Sequence, residues 1–274
     1  MPSIARPLAL ITGASSGIGA DLARALAARG YDLVVVARRK DPLQDLAREL
    51  AQHKAAVHIE IEDLALPGAA ARLAEEVQAA GLQIDVLVNN AGFGLTGPFH
   101  KSSPAELSGM IAVNVTALTE LSRVFLPGMV ERQQGGILNV ASLAAFQPGP
   151  FMAVYYASKA YVLSLSEALW EECRGTGVTV TALCPGPVET GFAERAAMTN
   201  TRLFASGLMP KMSSARVAEL GVEGLMRGRR VVIPGLTNSF LALTSGWTPR
   251  ALGLRVTRYL QTSRRDRSRE VSQS

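Results

Sequence analysis

A tyrosine and a lysine four residues apart form the most chemically suggestive pair in the sequence. Tyr155 and Lys159 stand in a stretch of helical periodicity, so their side chains share one helix face and can meet. A free phenol has a pKa of about 10, too high for an efficient base at neutral pH, and a nearby ammonium favours the phenolate. We predict that Tyr155 is an acid/base residue tuned by Lys159. The neighbouring Tyr156 has Ala160 four residues later, so the helical spacing favours Tyr155 as the residue paired with Lys159. The alternative is that Tyr155 and Lys159 belong to an ordinary amphipathic helix face.

A glycine-rich segment near the N-terminus has the surroundings of a phosphate-binding loop. It reads Thr12-Gly13-Ala14-Ser15-Ser16-Gly17-Ile18-Gly19 and lies between an apolar run and a helical pattern. Glycines let the backbone turn tightly and approach a pyrophosphate, and a helix N-terminus offers N–H groups to the anion. A plain glycine turn is the alternative. The predicted dinucleotide contacts are Gly13, Ser15, Ser16, Gly17, Ile18 and Gly19.

Short apolar runs rich in Val, Ile and Leu alternate with helical patterns along the chain. This alternation is typical of a parallel sheet covered by helices on both faces, so we predict one doubly wound, Rossmann-like α/β domain with seven parallel strands. The strands are predicted at 7–12, 31–37, 55–60, 84–89, 135–140, 177–183 and 230–233. The helices are predicted at 17–29, 41–52, 67–80, 104–132, 155–175 and 213–227. The irregular stretch 187–212 follows the sixth strand, where open parallel sheets bind ligands, and is a candidate lid.

Several motifs together resemble the short-chain dehydrogenase/reductase family over about residues 7–235. They are the glycine spacing, Asn89-Asn90-Ala91-Gly92 after the fourth strand, Ser142 after the fifth, and Tyr155-Tyr156-Ala157-Ser158-Lys159 opening a helix. The resemblance implies an oxidoreductase that transfers a hydride between a nicotinamide and a carbonyl or alcohol carbon. It also implies that Ser142 holds the substrate oxygen and that Lys159 bonds the nicotinamide ribose. With Asn114, which matches an asparagine that links the lysine through water to solvent, the predicted catalytic residues are Asn114, Ser142, Tyr155 and Lys159.

The end of the second strand predicts which cofactor is used. For NAD the family places an acid there, because a carboxylate accepts hydrogen bonds from the ribose 2′-hydroxyl. This strand instead runs into Arg38 and Arg39, and guanidinium groups suit a 2′-phosphate. We therefore predict NADP(H), with two exposed surface arginines as the alternative. The resemblance adds, as further cofactor contacts, Asp63, Leu64, Asn90, Ala91, Gly92, Pro185, Gly186, Val188 and Thr190, besides Tyr155 and Lys159.

Apolar side chains near the predicted strand ends favour a lipophilic small-molecule substrate. Each of them could instead belong to the core, and the fold fixes the reaction type but not the molecule. A catalytically silent, NADP(H)-sensing binding protein is the alternative function, against which an intact set of Ser142, Tyr155 and Lys159 argues. The apolar candidates are Phe93, Leu95, Phe146, Phe151, Met152, Phe192, Met198, Leu203 and Phe204.

The chain is divided, as predicted here, into a dinucleotide-binding and catalytic domain at 1–235 and an amphipathic extension with a basic tail at 236–274. The extension interleaves apolar residues with arginines. A basic amphipathic helix of this kind can rest on an anionic membrane surface, dock on the domain or close a subunit interface, and docking is favoured. A homodimer or homotetramer is expected.

Composition excludes several other functions. The apolar runs are well below the ~18 residues needed to cross a bilayer, and the start of the chain lacks a secretory signal pattern, so a cytoplasmic protein is predicted. The net charge is +5, but no nucleic-acid-reading module accompanies it. Cys173 and Cys184 have no metal or redox spacing and are predicted to be buried thiols.

Overall fold

The computed structural model describes residues 6–189, 191, 196, 211–245 and 250–261. Its strands, in chain order, are β1 Leu8–Thr12, β2 Asp32–Ala37, β3 Val57–Ile61, β4 Val86–Asn89, β5 Gly135–Val140, β6 Val178–Leu183, β7 Val188–Glu189, β8 Met212–Ser213 and β9 Val231–Val232. Seven of them form one sheet in the order β3-β2-β1-β4-β5-β6-β9, and every neighbouring pair is parallel. The predicted seven-stranded, doubly wound α/β fold is confirmed.

Helices cover both faces of this sheet. They are α1 Gly17–Ala27, α2 Lys40–Leu50, α3 Ala69–Ala79, α4 Pro104–Ile111, α5 Leu118–Glu131, α6 Ala153–Glu172, α7 Ser214–Met226, α8 Leu236–Ser245 and α9 Arg250–Gln261. Short 3-10 turns occupy Ala51–His53, Phe99–Lys101 and Leu143–Phe146. The predicted helix start at residue 104 is confirmed, because Pro104 is the first residue of α4.

Alternate residues of β1, β2, β4 and β5 belong to two separate hydrophobic clusters. In β1, Ile11 packs with Leu22 and Leu26 of α1, whereas Leu10 packs in the cluster that contains Leu73 of α3 and Leu121 of α5. All six side chains are almost completely buried. The strands read as continuous apolar runs because both of their faces are covered.

A buried polar network ties the middle strands to the helices behind them. The Asn89 amide donates to the Asn139 side-chain oxygen (2.9 Å) and to Ser122 Oγ (3.0 Å), and the Asn139 amide donates to Ser166 Oγ (3.0 Å). These bonds join β4, β5, α5 and α6. Since buried hydrogen bonds are strongly directional and costly to lose, the network fixes the strand ends relative to α6.

The structure differs from the prediction between residues 104 and 132. Instead of one continuous α-helix, a π-helical turn at Ala112–Ala117 separates α4 from α5. Taken together, Pro104–Glu131 is long and apolar enough to span a membrane by length and composition alone, which the sequence analysis did not expect. Its α5 part packs on β4, β5 and α3. Core packing accounts for part of that apolar character, since 33% of the apolar stretch is buried.

Two further features were not predicted as such. The short strands β7 and β8 pair parallel to each other outside the main sheet. The extension contains two described helices, α8 and α9, where a single amphipathic helix was considered.

Both predicted thiols, Cys173 and Cys184, are buried and free.

Candidate active site

One large cavity, of about 1510 Å³, lies at the carboxyl ends of the strands. It extends from the glycine loop to helices α8 and α9 and collects nearly all the predicted site residues. Asn114 is the predicted residue that lies behind the cavity wall rather than in it. Thr190 lies outside the described residues. The sheet topology therefore brings together residues that are far apart in the sequence.

The glycine loop is held against the end of β4 by Asn90. The Asn90 amide donates to the carbonyl oxygens of Thr12 (2.9 Å) and Gly13 (3.2 Å), and Thr12 Oγ1 accepts from the backbone N–H groups of Asn90 and Ala91 (3.0 Å each). The first turn of α1 passes so close that a Cβ at Gly19 would stand 2.3 Å from the Gly13 carbonyl oxygen. Only glycine fits there, so the loop geometry depends on it.

The start of α1 fits a phosphate group. Ser16 is its N-cap residue but makes no side-chain capping bond, and no acidic residue lies in the first turn. The first N–H groups of α1 therefore face the cavity without a side-chain partner, at the positive end of the helix dipole. This cradle is the observation that makes a dinucleotide fit the glycine loop.

The adenine end of the cavity carries the two predicted arginines. Arg38 is 73% exposed and approaches Asp63 at 3.7 Å, while Arg39 donates to Ser15 Oγ at 3.4 Å. Both arginines line the cavity together with Asp63 and Leu64. The long Arg38–Asp63 separation is that of a weak, solvent-screened pair, so this guanidinium is available to a phosphate.

Tyr155 and Ser142 lie together in the same cavity as the glycine loop. Ser142 follows β5 as the N-cap of the 3-10 turn and accepts from the Ala144 N–H at 3.1 Å. Tyr155 opens α6 and is only 8% exposed. Burial raises the pKa of Tyr155 to about 12, against the smaller opposing effect of a hydrogen bond with Ser142. The phenol is therefore protonated at neutral pH.

Lys159 lies on the same face of α6 but does not bring the pKa of Tyr155 down in this structure. Its Nζ donates to the Val140 carbonyl oxygen at 2.7 Å and stands 5.9 Å from the centre of the Tyr155 ring. Burial lowers the pKa of Lys159 itself to about 8. Desolvation is the largest influence on the pKa of Tyr155 here, and the expected tuning of the tyrosine by the lysine stays a prediction.

Asn114 lies in the π-helical turn and faces the backbone beside Gly92. Its side chain accepts from the Phe93 N–H (3.1 Å) and donates to the Phe93 carbonyl oxygen (3.0 Å) and to Ser158 Oγ (3.1 Å). Ser158 in turn donates to the Tyr155 carbonyl oxygen at 2.7 Å. A π-turn places one extra residue in the helix, often at functional sites. Here it carries Asn114 between the Asn90–Gly92 segment and α6.

The segment after β6 borders the same cavity. The Leu143 N–H donates to the Pro185 carbonyl oxygen at 2.9 Å, which fixes this segment to the turn that carries Ser142. Gly186 lies against the side chain of Asn238 from α8, and Val188 pairs with Met212. Pro185, Gly186 and Val188, which are predicted cofactor contacts, all line the cavity.

The substrate end differs from the sequence-based expectation. Phe93 and Phe146 line the large cavity, but Leu95, Phe151 and Met152 surround a separate void of about 20 Å³. Leu95 and Met152 pack instead with the buried Met110 in one hydrophobic cluster. Phe192, Met198, Leu203, Phe204 and most of the candidate lid at 187–212 lie outside the described residues.

The extension contributes a cavity wall that the sequence analysis did not assign. It docks on the domain: the Gln261 amide donates to the Tyr156 hydroxyl at 2.8 Å, in a buried contact. One sequence signal could have indicated this docked face: Thr257 and Gln261 are polar residues four apart in an otherwise apolar and basic helix. The lining residues from α8 and α9 are Leu241, Ala242, Thr244, Gly253, Leu254, Val256, Thr257, Leu260 and Gln261.

Several known proteins are similar to this chain in sequence and in fold. The family described as short chain dehydrogenase matches residues 7–200. The ketoacyl reductase HetN of Nostoc sp. is 35% identical over 237 residues, which are 85% of this chain and 80% of that protein. The very-long-chain 3-oxoacyl-CoA reductase of Bos taurus is 34% identical over 68% of this chain and 61% of its own length. Among solved structures, a short-chain dehydrogenase from Sphingobium yanoikuyae in complex with NADPH is 34% identical, with a TM-score of 0.78, over 88% of this chain and 93% of that one.

Burial of Lys159 predicts an unusual pH dependence of stability. Its folded-state pKa of about 8, against 10.5 for an ordinary lysine, means that the full penalty of about 3 kcal/mol is present below pH 8 and disappears as the pH rises towards 10.5. Relative to Lys159→Met, the cofactor-free wild type should therefore gain stability across that window. Urea unfolding of both proteins measures the difference, with the exposed Lys101→Met as control. A difference that stays constant with pH would show that the ammonium is not penalised.

Proposed function

Since the chain belongs to the short-chain dehydrogenase family, whose members are oxidoreductases that use nicotinamide cofactors, we propose that it is an NADP(H)-dependent reductase of lipophilic ketones. The observation that carries the proposal is the placement of Ser142, Tyr155 and Lys159 in the same cavity as the glycine loop. That placement puts proton-transfer groups and a dinucleotide cradle in one cavity. The reaction interconverts a carbonyl and an alcohol.

The residues of the chain supply the proton and orient the substrate. A bound nicotinamide would supply or accept the hydride. Ser142 can donate a hydrogen bond to the carbonyl oxygen of the substrate, and the protonated Tyr155 can deliver its proton to the same oxygen as negative charge develops there. The raised pKa of Tyr155 keeps the proton in place until the oxygen becomes a stronger base than the phenolate.

Lys159 and Asn114 support that proton transfer: Lys159 acts through its charge, and Asn114 acts by positioning α6. Lys159 is buried with a lowered pKa, so its ammonium can stabilise a tyrosinate and can give up a proton near neutral pH. Asn114 holds the Phe93 backbone and Ser158, which fixes the first turns of α6 where both titratable groups stand. With the pyrophosphate at the glycine loop, the ribose would lie beside Tyr155 and Lys159.

The preference for NADP(H) is supported by charge at the adenine end. Arg38 and Arg39 line the cavity after β2, in the place where an acid would favour a free 2′-hydroxyl. The solved relative from Sphingobium yanoikuyae, which is in complex with NADPH, is consistent with this choice. A lipophilic substrate is supported by Leu241, Leu254 and Leu260, which line the same cavity from α8 and α9.

Two exposed apolar surfaces support contacts beyond the substrate. Ile111, Val124 and Tyr161 on α4, α5 and α6 are 39–46% exposed, as expected of a face that pairs with a second copy in a homodimer or homotetramer. The second surface, on α8 and α9, includes Phe240 (65%) and Leu243 (70%) and carries the exposed Arg255 and Arg258 without an acidic residue between 236 and 261. Basic and apolar groups together suit an anionic membrane.

Removal of the Tyr155 hydroxyl should abolish turnover. Tyr155→Phe deletes the proton donor and leaves the ring, so we expect kcat to fall roughly a hundred- to ten-thousandfold while NADPH affinity, measured by fluorescence titration, is largely retained. Tyr161→Phe, on the exposed side of the same helix, is the matched control. Ketone reduction by Tyr155→Phe at most of the wild-type rate would refute the assignment, and turnover by the wild type excludes a silent binding protein.

Reversal of charge at Arg38 should reverse the cofactor preference. A charge-assisted hydrogen bond contributes about 1.5–3 kcal/mol, so wild-type kcat/KM should favour NADPH over NADH by roughly ten- to a hundredfold. In Arg38→Asp the carboxylate repels the 2′-phosphate and accepts from the 2′-hydroxyl. Arg48→Asp, on the exposed side of α2, is the control for net charge. Equal wild-type values, or an unchanged preference in Arg38→Asp, would place Arg38 in solvent.

One pair of variants distinguishes the roles proposed for the two exposed surfaces. Leu243→Glu should weaken sedimentation with vesicles of anionic phospholipid and leave the molar mass from light scattering unchanged. Val124→Glu should lower the molar mass and leave vesicle binding unchanged. If Leu243→Glu instead lowered the mass, the α8–α9 surface would be a subunit interface and not a membrane contact.

A further inference from the structure

Two buried polar atoms without hydrogen-bond partners lie on the cavity side of α9. Thr257 is 2% exposed and Gln261 is 3% exposed. Within the described part of the chain, Thr257 Oγ1 and Gln261 Oε1 have no hydrogen-bond partner. Both residues line the large cavity. An unsatisfied buried polar group is costly, so two of them on one wall point to a ligand that completes them.

The two side chains form one patch with Tyr156. Thr257 and Gln261 are four residues apart on α9 and therefore share a face. The Gln261 amide is already used as a donor to the Tyr156 hydroxyl (2.8 Å), which leaves its oxygen as an acceptor and the Tyr156 proton available to donate. The patch thus offers both donors and acceptors to a single group.

Tyr156 holds this patch at a fixed place beside the reacting centre. Its ring meets that of Tyr155 edge to face, with 6.1 Å between centroids and an angle of 75°. On the other side it packs so closely on Gly149 that a Cβ there would stand 2.2 Å from the ring. The hydroxyl of Tyr156 therefore cannot move far, and the distance from the patch to Tyr155 is set by the fold.

We propose that Thr257, Gln261 and Tyr156 form a polar subsite that binds a neutral hydroxyl group on the substrate, away from the carbonyl that is reduced. This inference rests on the proposed function and names its substrate class: hydroxy ketones with an otherwise apolar skeleton. The group is neutral because the described cations that line the cavity, Arg38, Arg39 and Lys159, belong to the cofactor and catalytic ends. A carboxylate or phosphate at α9 would be buried without a countercharge.

The test compares straight-chain methyl ketones with their ω-hydroxylated counterparts of equal chain length, with NADPH as cofactor. At the chain length that spans Tyr155 and Thr257, the wild type should show a kcat/KM roughly tenfold higher for the hydroxylated member, as one hydrogen bond to an otherwise unpaired buried group allows. Thr257→Val, which removes the hydroxyl at nearly equal volume, should bring that ratio close to one. Thr257→Ser should restore it.

Thr244→Val is the matched control, because Thr244 also lines the cavity but its hydroxyl bonds the Phe240 carbonyl oxygen in its own helix (2.9 Å). It should keep the wild-type ratio. If the wild type reduces the ketones with equal kcat/KM at every chain length, or if Thr257→Val keeps the preference, the subsite is refuted while the proposed function stands. If the wild type reduces no ketone of either series, the proposed function falls and the subsite with it.

Discussion

The pairing of β1 with β4 determines where the rest of the site can lie. β1 pairs with β2 on one side and with β4 on the other, so the chain crosses the sheet after β3. A crevice opens at this crossover, outside the carboxyl ends of the strands. Thr12 ends β1 and Asn90 follows β4, and their hydrogen bonds close the base of the crevice. Because parallel strands end at one edge, Ser142 and Pro185 reach the same crevice from β5 and β6.

The site contains a group that destabilises the folded protein. Lys159 is buried as a cation beside a carbonyl oxygen, and burial of that charge raises the free energy of the folded state relative to a well-packed apolar residue. Tyr155 is buried beside it as a neutral phenol. The buried network of Asn89 and Asn139 gives the surrounding strand ends enough rigidity to hold them. Stability is thereby exchanged for proton-transfer groups whose pKa values differ from those in water.

Most of the fold, and the glycine loop and helix pair of the candidate site, could be predicted from the sequence because their signals are local. Alternating apolar runs predict a parallel sheet, and the glycine loop carries its own strand and helix context. The i, i+4 spacing of Tyr155 and Lys159 was sufficient to place them on one face. The π-helical turn at Ala112–Ala117 could not be predicted from local sequence. Its Asn114 side chain accepts a hydrogen bond from the Phe93 N–H, 21 residues away in the chain.

The pKa of Tyr155 and the wall made by α9 escaped prediction for a related reason. Spacing along a helix gives proximity but not burial, and burial decides the pKa of that phenol. Gln261 and Tyr156 are 105 residues apart in the chain, so no local pattern joins them. Each failure concerns a contact that exists only after the sheet has brought distant segments together.

The central claim, that this cavity transfers a hydride to a carbonyl carbon, is tested most directly by following the hydrogen itself. NADPH deuterated separately at each of the two C4 positions is incubated with the protein and a ketone, and the product alcohol is analysed by mass spectrometry. One of the two epimers should place deuterium on the carbinol carbon, and the other should not, because the cofactor is held in one orientation. Equal transfer from both epimers, or an alcohol without deuterium from either, would contradict the account.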